Sequence, residues 1–267
     1  MVNNADKRRI KTQVLKFTNA DLKPCRKERD DAKSLLNAVT VPWDGHGGRI
    51  IQVKTYQNIK DRLANHRARF YDLRDEFIKG YEGRVEAARE ELTDLFDERR
   101  FPHPDEVSEQ FYFDIKTDVI SDPNDIRISG AVELIEEVRD EMKQRQVRKL
   151  NESKQEVIDR MVDRLKKSVA SVQNLHTKKQ AGEETKFFDS SVTGVLELVG
   201  TIEDINITKD PNLTVLGDRA TEIFSKHGRY TTDLIKSSPE VREEVIEETS
   251  DLISAIEQYT PNTFKTT

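Results

Sequence analysis

Residues 55–98 read TYQNIKDRLANHRARFYDLRDEFIKGYEGRVEAAREELTDLFDE. Their apolar side chains fall at Ile59, Leu63, Phe70, Leu73, Phe77, Tyr81, Val85, Ala88, Leu92 and Leu95, at spacings of three, four or seven. That period keeps one narrow apolar stripe on one side of a helix, as in a coiled-coil seam. It predicts a helix from about Thr55 to Glu98, roughly 65 Å long at 1.5 Å per residue. Between Phe77 and Val85 the spacing becomes four and four, a stutter that locally unwinds a supercoil. Gly80 and Gly83 stand at that place and predict a bend.

The whole chain has the composition such a helix needs. Charged residues make up 35% of the 267 and hydrophobic residues also 35%, against about 25% charged in ordinary globular domains. Narrow helical seams need fewer core residues than a compact sphere of this length. The 11 glycines and 8 prolines predict few loops and long elements. A single cysteine, Cys25, excludes a disulfide framework within the chain. No histidine accompanies it in LKPCRKERDD, so it reads as a packed side chain rather than a nucleophile. No apolar run reaches the ~18 residues of a membrane span. The basic start, MVNNADKRRIKTQVLKF, lacks an apolar signal core. The expectation is a cytoplasmic protein without membrane contact, in which the sequons at Asn151, Asn206 and Asn212 are chance matches.

Outward from the long helix, residues 8–17 alternate weakly like a strand, and NADLKPCRKERDDAKSLLNAV predicts a short helix ending near Ala38. In VPWDGHGGRIIQV, residues 41–53, two short β-rich runs flank a tip of Asp and Gly, the signature of a hairpin. Pro42 marks an edge strand. Downstream, RRFPHPDE stops the helix, and Pro104 with Asp105 and Glu106 suits the start of a short one. Phe111, Phe113 and Ile115 alternate, as do Ile126 and Ile128 across the turn signal SDPND, predicting two further strands. A second long helix is expected over about 130–179. Its seam runs through Ala131, Leu134, Ile135, Val138 and Met142, then Val157, Met161, Leu165, Val172 and Leu175. HTKKQAGEET reads as a loop. A third helix follows, with Phe188, Val192, Val195, Val199 and Ile202 on one face. Asp210-Pro211 and Ser238-Pro239 each pair a capping side chain with a proline at the first helical position and so start a fourth and a fifth. The tail TPNTFKTT reads as loose.

The predicted fold is mainly α: long antiparallel coiled-coil helices, a small antiparallel β element and a C-terminal helical bundle. The expected divisions are 1–54 (strand, helix and hairpin), 55–180 (the helical pair with a β insertion at about 100–129) and 181–267 (the bundle).

No constellation in the sequence supports catalysis. Gly-rich DGHGG can cradle an anion through its backbone N–H groups, but no P-loop lysine and serine follow; a tight turn accounts for those glycines. His46, His66, His103, His176 and His227 form no metal-ligand spacing. The carboxylates lie mostly in helical charge runs, the pattern of solvated faces. Catalytic residues, cofactor and metal are therefore all expected to be absent.

Charge is uneven under a formal net charge of −6. Residues 143–167 carry nine Lys/Arg against four Asp/Glu, whereas residues 187–267 carry seven against fifteen. The first set gives nucleic-acid candidates Lys143, Arg145, Arg148, Lys149, Lys154, Arg160, Arg164, Lys166 and Lys167, although no aromatics interleave them for base stacking. The second gives protein-contact candidates Glu240, Glu243, Glu244, Glu247 and Glu248. Trp43 and Arg49 of the hairpin join them as a possible anchor pair.

The stretch FFDSSVTGVLELVGTIEDINITKDPNLTVLGDRATEIF, preceded by VPWDGHGGRII, RRFPHPDEV and DIRIS in that order, resembles an uncharacterised family of helical proteins encoded by tailed bacteriophages and related mobile elements. The resemblance covers most of residues 35–225. It implies a phage origin and a place in the cytoplasm of an infected bacterium, and it brings no catalytic residues.

Together these readings give an expected function: a non-enzymatic phage interaction protein that binds and modulates a host or phage protein complex, its acidic helix occupying a basic, nucleic-acid-binding surface. One alternative is a nucleic-acid binder for single strands or replication intermediates, using the basic 143–167 helix. The other is an oligomeric assembly protein. The narrow seams also predict a homodimer or higher homo-oligomer that buries a further stripe.

Overall fold

The computed structural model describes residues 19–43, 47–120, 122–123 and 132–259. The weak strand at 8–17, the hairpin tip at 44–46, the strand at 126–128 and the tail from 260 lie outside the described residues. The fold is mainly α, with one two-stranded antiparallel sheet among the described residues. It divides into two compact units, Met1–Leu35 with Gln57–Asp118 and Leu36–Tyr56 with Val119–Thr267. The divisions fall inside helix α1 (Asn19–Ala38) and helix α2 (Val53–Lys79).

In the first unit the α2 seam is buried at Ile59, Leu63, Phe70 and Phe77. α1 buries Cys25 and Ala32, and Glu28 Oε1 meets His66 Nδ1 at 2.6 Å. The single helix expected over 55–98 is interrupted at Gly80. α3 (Tyr81–Leu92) starts anew there, and Arg84 donates to the Phe77 carbonyl at 2.8 Å, satisfying an acceptor at the break. α3 also ends earlier than expected, because Thr93 turns to a positive φ of 44°. Two 3-10 turns follow, Thr93–Leu95 and Glu98–Arg100, before α4 (Pro104–Glu109).

Residues 111–115 are not a strand. Phe113 is buried and Tyr112 and Asp114 are exposed, so the alternation is present. The Phe113 backbone is satisfied from a helix instead: the Tyr71 hydroxyl donates to its carbonyl at 3.2 Å and faces its N–H at 3.3 Å. Phe113 packs against Phe70, centroids 5.3 Å apart. A side-chain dock thus supplies what a ladder was expected to supply.

The second unit is built on α5 (Val132–Gln180). The hairpin strands β1 (Val41–Pro42) and β2 (Arg49–Ile50) pair Val41 with Ile50 and Pro42 with Arg49. Gly47 holds a φ of +94°, a conformation open to glycine. Val41 is fully buried in the unit's core, and Ser153 of α5 donates to the Pro42 carbonyl at 3.1 Å. The C-terminal half of α5 buries Val157, Met161, Leu165, Val172 and Leu175. It packs against α6 (Ser190–Gly200) and α10 (Pro239–Gln258); α8 (Pro211–Ser225) packs against both of these. Small residues bring α5 and α6 close: Ser168 donates to the Ser191 carbonyl at 2.6 Å, and the Arg164 guanidinium lies directly over Gly194.

The third expected helix is split into α6 and α7 (Ile202–Ile205). Phe188 precedes α6 and is 66% exposed rather than on its inner face, and Phe187 packs on the core instead. The caps form as the sequence predicts, Asp210 accepting from the Asn212 N–H at 3.0 Å and Ser238 from the Val241 N–H at 3.2 Å. An additional helix, α9 (Thr231–Ser237), stands between α8 and α10. Its last carbonyls, of Ile235 and Lys236, accept from the buried Arg242 guanidinium at 2.9 and 3.3 Å, so a side chain of the next helix closes it.

Candidate interaction surfaces

α10 carries Glu240, Glu243, Glu244, Glu247, Glu248, Asp251 and Glu257 against one base, Arg242. The inward stripe of Val245, Leu252, Ile253 and Ile256 fixes the helix against its neighbours. That orientation decides which acids face solvent. Glu240, Glu243, Glu247 and Asp251 are exposed. Their spacings of three, four and four set them in one row. Eleven residues at 1.5 Å make the row about 16 Å long. Arg242 is only 3% exposed, so the helix's one base contributes nothing to this outer face.

The other two candidates on α10 behave differently. Lys226 reaches from the end of α8 to Glu244 at 2.6 Å and Glu248 at 3.0 Å. The Lys226 ammonium holds the Glu244 carboxyl below the usual range, and the two glutamates raise Lys226 in turn, Glu244 first. At the helix start the Ser238 hydroxyl, donating at 2.7 Å, depresses the Glu240 pKa. Glu243 Oε1 lies 3.6 Å from His176 Nε2. At the far end Glu257 is bridged by Lys166 at 2.6 Å. The row of four is therefore the part of α10 with the greatest surplus of negative charge. Asp251 was absent from the sequence candidates, though its place four residues after Glu247 is a signal within the helix itself. Lys226 had no such signal, being brought in by tertiary packing.

The basic candidates separate by direction along α5. Lys154 is 4% exposed and meets Asp210 Oδ2 at 2.5 Å. Tyr259 donates to the same oxygen at 2.5 Å. Burial works against the Asp210 carboxylate, but the bonds from Lys154, Tyr259 and the Asn212 N–H outweigh it and hold its pKa below the usual range. Burial, and then this bond, raise Tyr259. Arg160 donates to the carbonyls of Asn37 and Thr40 at 3.0 and 3.1 Å, and Arg164 to that of Ser190 at 2.8 Å. These three side chains knit α5 to its neighbours. Lys166 and Lys167 are exposed and paired with Glu257 and Asp163.

Nearer the start of α5, Lys143 lies 4.0 Å from Asp140, Arg145 bridges Glu141 at 2.6 Å, and Arg148 is exposed. Lys149 Nζ lies 5.2 Å from the Trp43 ring centroid, within cation–π reach. Trp43, Arg145 and Lys149 share a cleft of about 230 Å³ with Val119, Ile120 and Met142. The other hairpin candidate, Arg49, turns inward, its guanidinium donating to Thr40 Oγ1 at 2.5 Å and to the Thr40 carbonyl at 2.9 Å. Burial and then the nearby Arg160 lower its pKa.

Among the described residues no group of three or more His, Cys, Asp or Glu side chains is placed to hold a metal ion. None of the described helices is long and apolar enough to cross a membrane.

Comparison with known proteins gives one family match, to the model described as a protein of unknown function (DUF3150), over residues 15–204. No curated protein and no solved structure matches the chain. The matched stretch takes in the hairpin, α5 and the Trp43 cleft. It ends before α8, so the acidic row of α10 lies beyond it.

Proposed function

The chain belongs to the DUF3150 family, and we propose that it is a non-enzymatic interaction protein that binds a partner protein complex through the acidic row of α10 and modulates it. The observation that carries the reading is the sorting of charge on that helix. Its one base is buried, while Glu240, Glu243, Glu247 and Asp251 face solvent together. Like charges at four-residue spacing cost a helix roughly 0.2–0.5 kcal/mol per pair, a penalty that a packing helix has no need to carry. A basic partner surface, of the kind that otherwise holds nucleic acid, offsets that repulsion and gains association rate from steering.

In our reading this activity belongs to a tailed bacteriophage or related mobile element, as the sequence resemblance implies, and acts on a host or phage complex in the bacterial cytoplasm. Self-association accompanies it in our reading. Ile135, Val138 and Met142 form an apolar stripe on α5 that stays only half-buried, and a second copy would cover it. Light scattering should then give a homodimer or larger; a monodisperse monomer sinks that part.

The test is an affinity pull-down of the tagged chain from infected cells, with nuclease treatment, comparing the native sequence with Glu240→Lys/Glu243→Lys/Glu247→Lys. A partner that survives nuclease and is lost from the variant is expected. Equal recovery by both proteins overturns the acidic-row reading.

A second reading rests on Trp43. The sequence shows no aromatic within the basic helix, yet folding brings the indole beside Lys149 and into one cleft with Arg145. Bases with a stacking ring suit single-stranded nucleic acid. In this reading, affinity for a labelled oligonucleotide falls steeply with salt and drops further in Trp43→Ala. Salt-independent or absent binding removes it.

A further inference from the structure

The first unit holds a cleft of about 470 Å³ that the acidic-row reading does not use. Its size lies within the ~300–1,000 Å³ typical of small-ligand sites. Aromatic rings and arginines stand out in its lining. Phe70, Phe77 and Phe111 give an aromatic wall, with Phe111 centroids 5.5 Å from Phe77 and 6.2 Å from Phe70. Arg26 and Arg29, one turn apart on α1, and Arg100 from the second 3-10 turn line the same space. The Arg29 and Arg100 side chains are 57% and 55% exposed. They pair with the exposed Asp30 at 2.7 Å and the half-buried Asp97 at 3.7 Å. Exposed pairs of this kind are weak and exchange readily for a bound anion.

Aromatic faces and guanidinium forks are complementary to the two halves of one ligand type: a flat ring bearing a carboxylate or phosphate. The surroundings also limit its charge. Burial raises the Cys25 pKa most, a backbone hydrogen bond lowers it and Glu76 adds a smaller rise; for Tyr81, burial and then Glu106 raise it. These two carboxylates offset part of the arginine charge and favour a ligand of low charge over a polyphosphate.

We propose that this cleft binds a small planar aromatic anion of mononucleotide size or less, its ring against Phe111 and its single charged group held by the arginine rim. The ring covers the half-buried Phe111, behind which Phe70 and Phe77 are already buried, and the rim selects for charge. Neither half alone accounts for both linings.

Calorimetric titration of the full chain tests this with two families of probe. One is the four nucleoside monophosphates, with adenosine and inorganic phosphate as their separated halves. The other is indole-3-acetate, with indole and acetate as its halves. At least one intact anion is expected to bind with a dissociation constant below about 1 mM and at least about tenfold more tightly than either of its halves. Which family wins identifies the anion. Arg29→Gln and Arg100→Gln, both at exposed positions, should each weaken it about tenfold while circular dichroism stays native. Phe111→Ala should weaken it about fivefold or more. Glu106→Gln should bind more tightly, an increase that a merely damaged fold does not produce. The inference is overturned if no probe binds below about 1 mM, if a half binds as tightly as the whole, or if both arginine variants bind as the native chain does. Because every residue of this cleft belongs to the first unit and α10 to the second, such an outcome leaves the acidic-row reading standing.

Discussion

Replacing Asp210 by asparagine separates charge from shape in the core of the second unit. Asp210 is 6% exposed and faces the 4% exposed Lys154 at 2.5 Å. Asparagine has nearly the same volume and is as good a helix cap, so the bond to the Asn212 N–H at the start of α8 survives. What disappears is the negative charge opposite a buried ammonium. At 2.5 Å and an effective dielectric of about 20, the Coulomb attraction is roughly 7 kcal/mol, before desolvation takes back a large share. Removing one member of a buried pair costs about 3–5 kcal/mol in proteins generally. The lower end applies here, because the Tyr259 hydroxyl is close by and can turn its oxygen toward the ammonium. The expected loss is about 3 kcal/mol. Urea unfolding followed by Trp43 fluorescence reads it, since the only tryptophan lies in the same unit as the pair. With a slope of about 2 kcal/mol per molar urea, the midpoint falls by about 1.5 M. Adding Lys154→Met to Asp210→Asn should recover at least half of that, because an apolar side chain in place of a buried charge is often neutral or better. A shift below about 0.5 M for Asp210→Asn, or no recovery in the double variant, refutes this account of the cluster.

The same cluster sets a pH window. Asp210 binds its proton more weakly folded than unfolded, so its contribution is complete above the ordinary Asp pKa of about 3.9 and is lost as pH falls through the lower folded value. Tyr259 is raised, so its contribution is complete below about pH 10 and is lost as pH rises through the folded value. Urea midpoints across pH should show both limbs, and Asp210→Asn should flatten the acid one; an unchanged acid limb refutes the assignment. At Gly194 an added methyl would lie 1.0 Å from Arg164 Nη2. Gly194→Ala therefore displaces the guanidinium from the Ser190 carbonyl, losing about 1 kcal/mol, and gains about 1 kcal/mol in helix propensity. It should be near neutral in the native chain and stabilising by about 1 kcal/mol in Arg164→Ala; equal effects in both backgrounds disprove the contact. Lys209 holds a φ of 52°, so Lys209→Gly should stabilise the turn by about 0.5–1 kcal/mol, and a lower thermal midpoint counts against it.

What could be read from the sequence follows the range of each interaction. Asp210-Pro211 and Ser238-Pro239 announce their helices because a cap and its N–H lie two or three residues apart. The hairpin is legible for the same reason. The end of α3 is not, because a threonine at positive φ leaves no mark in residue type. The supposed strand at 111–115 fails for a related reason. Alternation reports which side chains are buried, but the Tyr71 hydroxyl that occupies the Phe113 backbone stands 42 residues earlier. Among the site candidates, the outward row on α10 is visible from spacing alone. The fate of the basic helix is not: Lys154 meets Asp210, Arg160 meets Asn37, and each partner is far along the chain. A run of bases looks uniform in sequence and is divided by the fold into struts and surface charges.

The division of the chain has a consequence for the order in which it is made. The second unit takes Val41 into its core and ties Pro42 to Ser153 across 111 residues of sequence. A ribosome adding about 5–20 residues per second exposes the hairpin roughly 6–20 s before the part of α5 that receives it. Throughout that interval Val41, Trp43 and Ile50 have no finished core to enter. Contacts of such long range also slow the final search, since the loop must close before its contacts repay it. The hairpin is thus among the first pieces of the second unit to be synthesised, and it waits for α5 before it can dock. A fragment beginning at Val119 would never receive it. Dissection of this protein therefore works better by substitution within the full chain than by truncation at its midpoint.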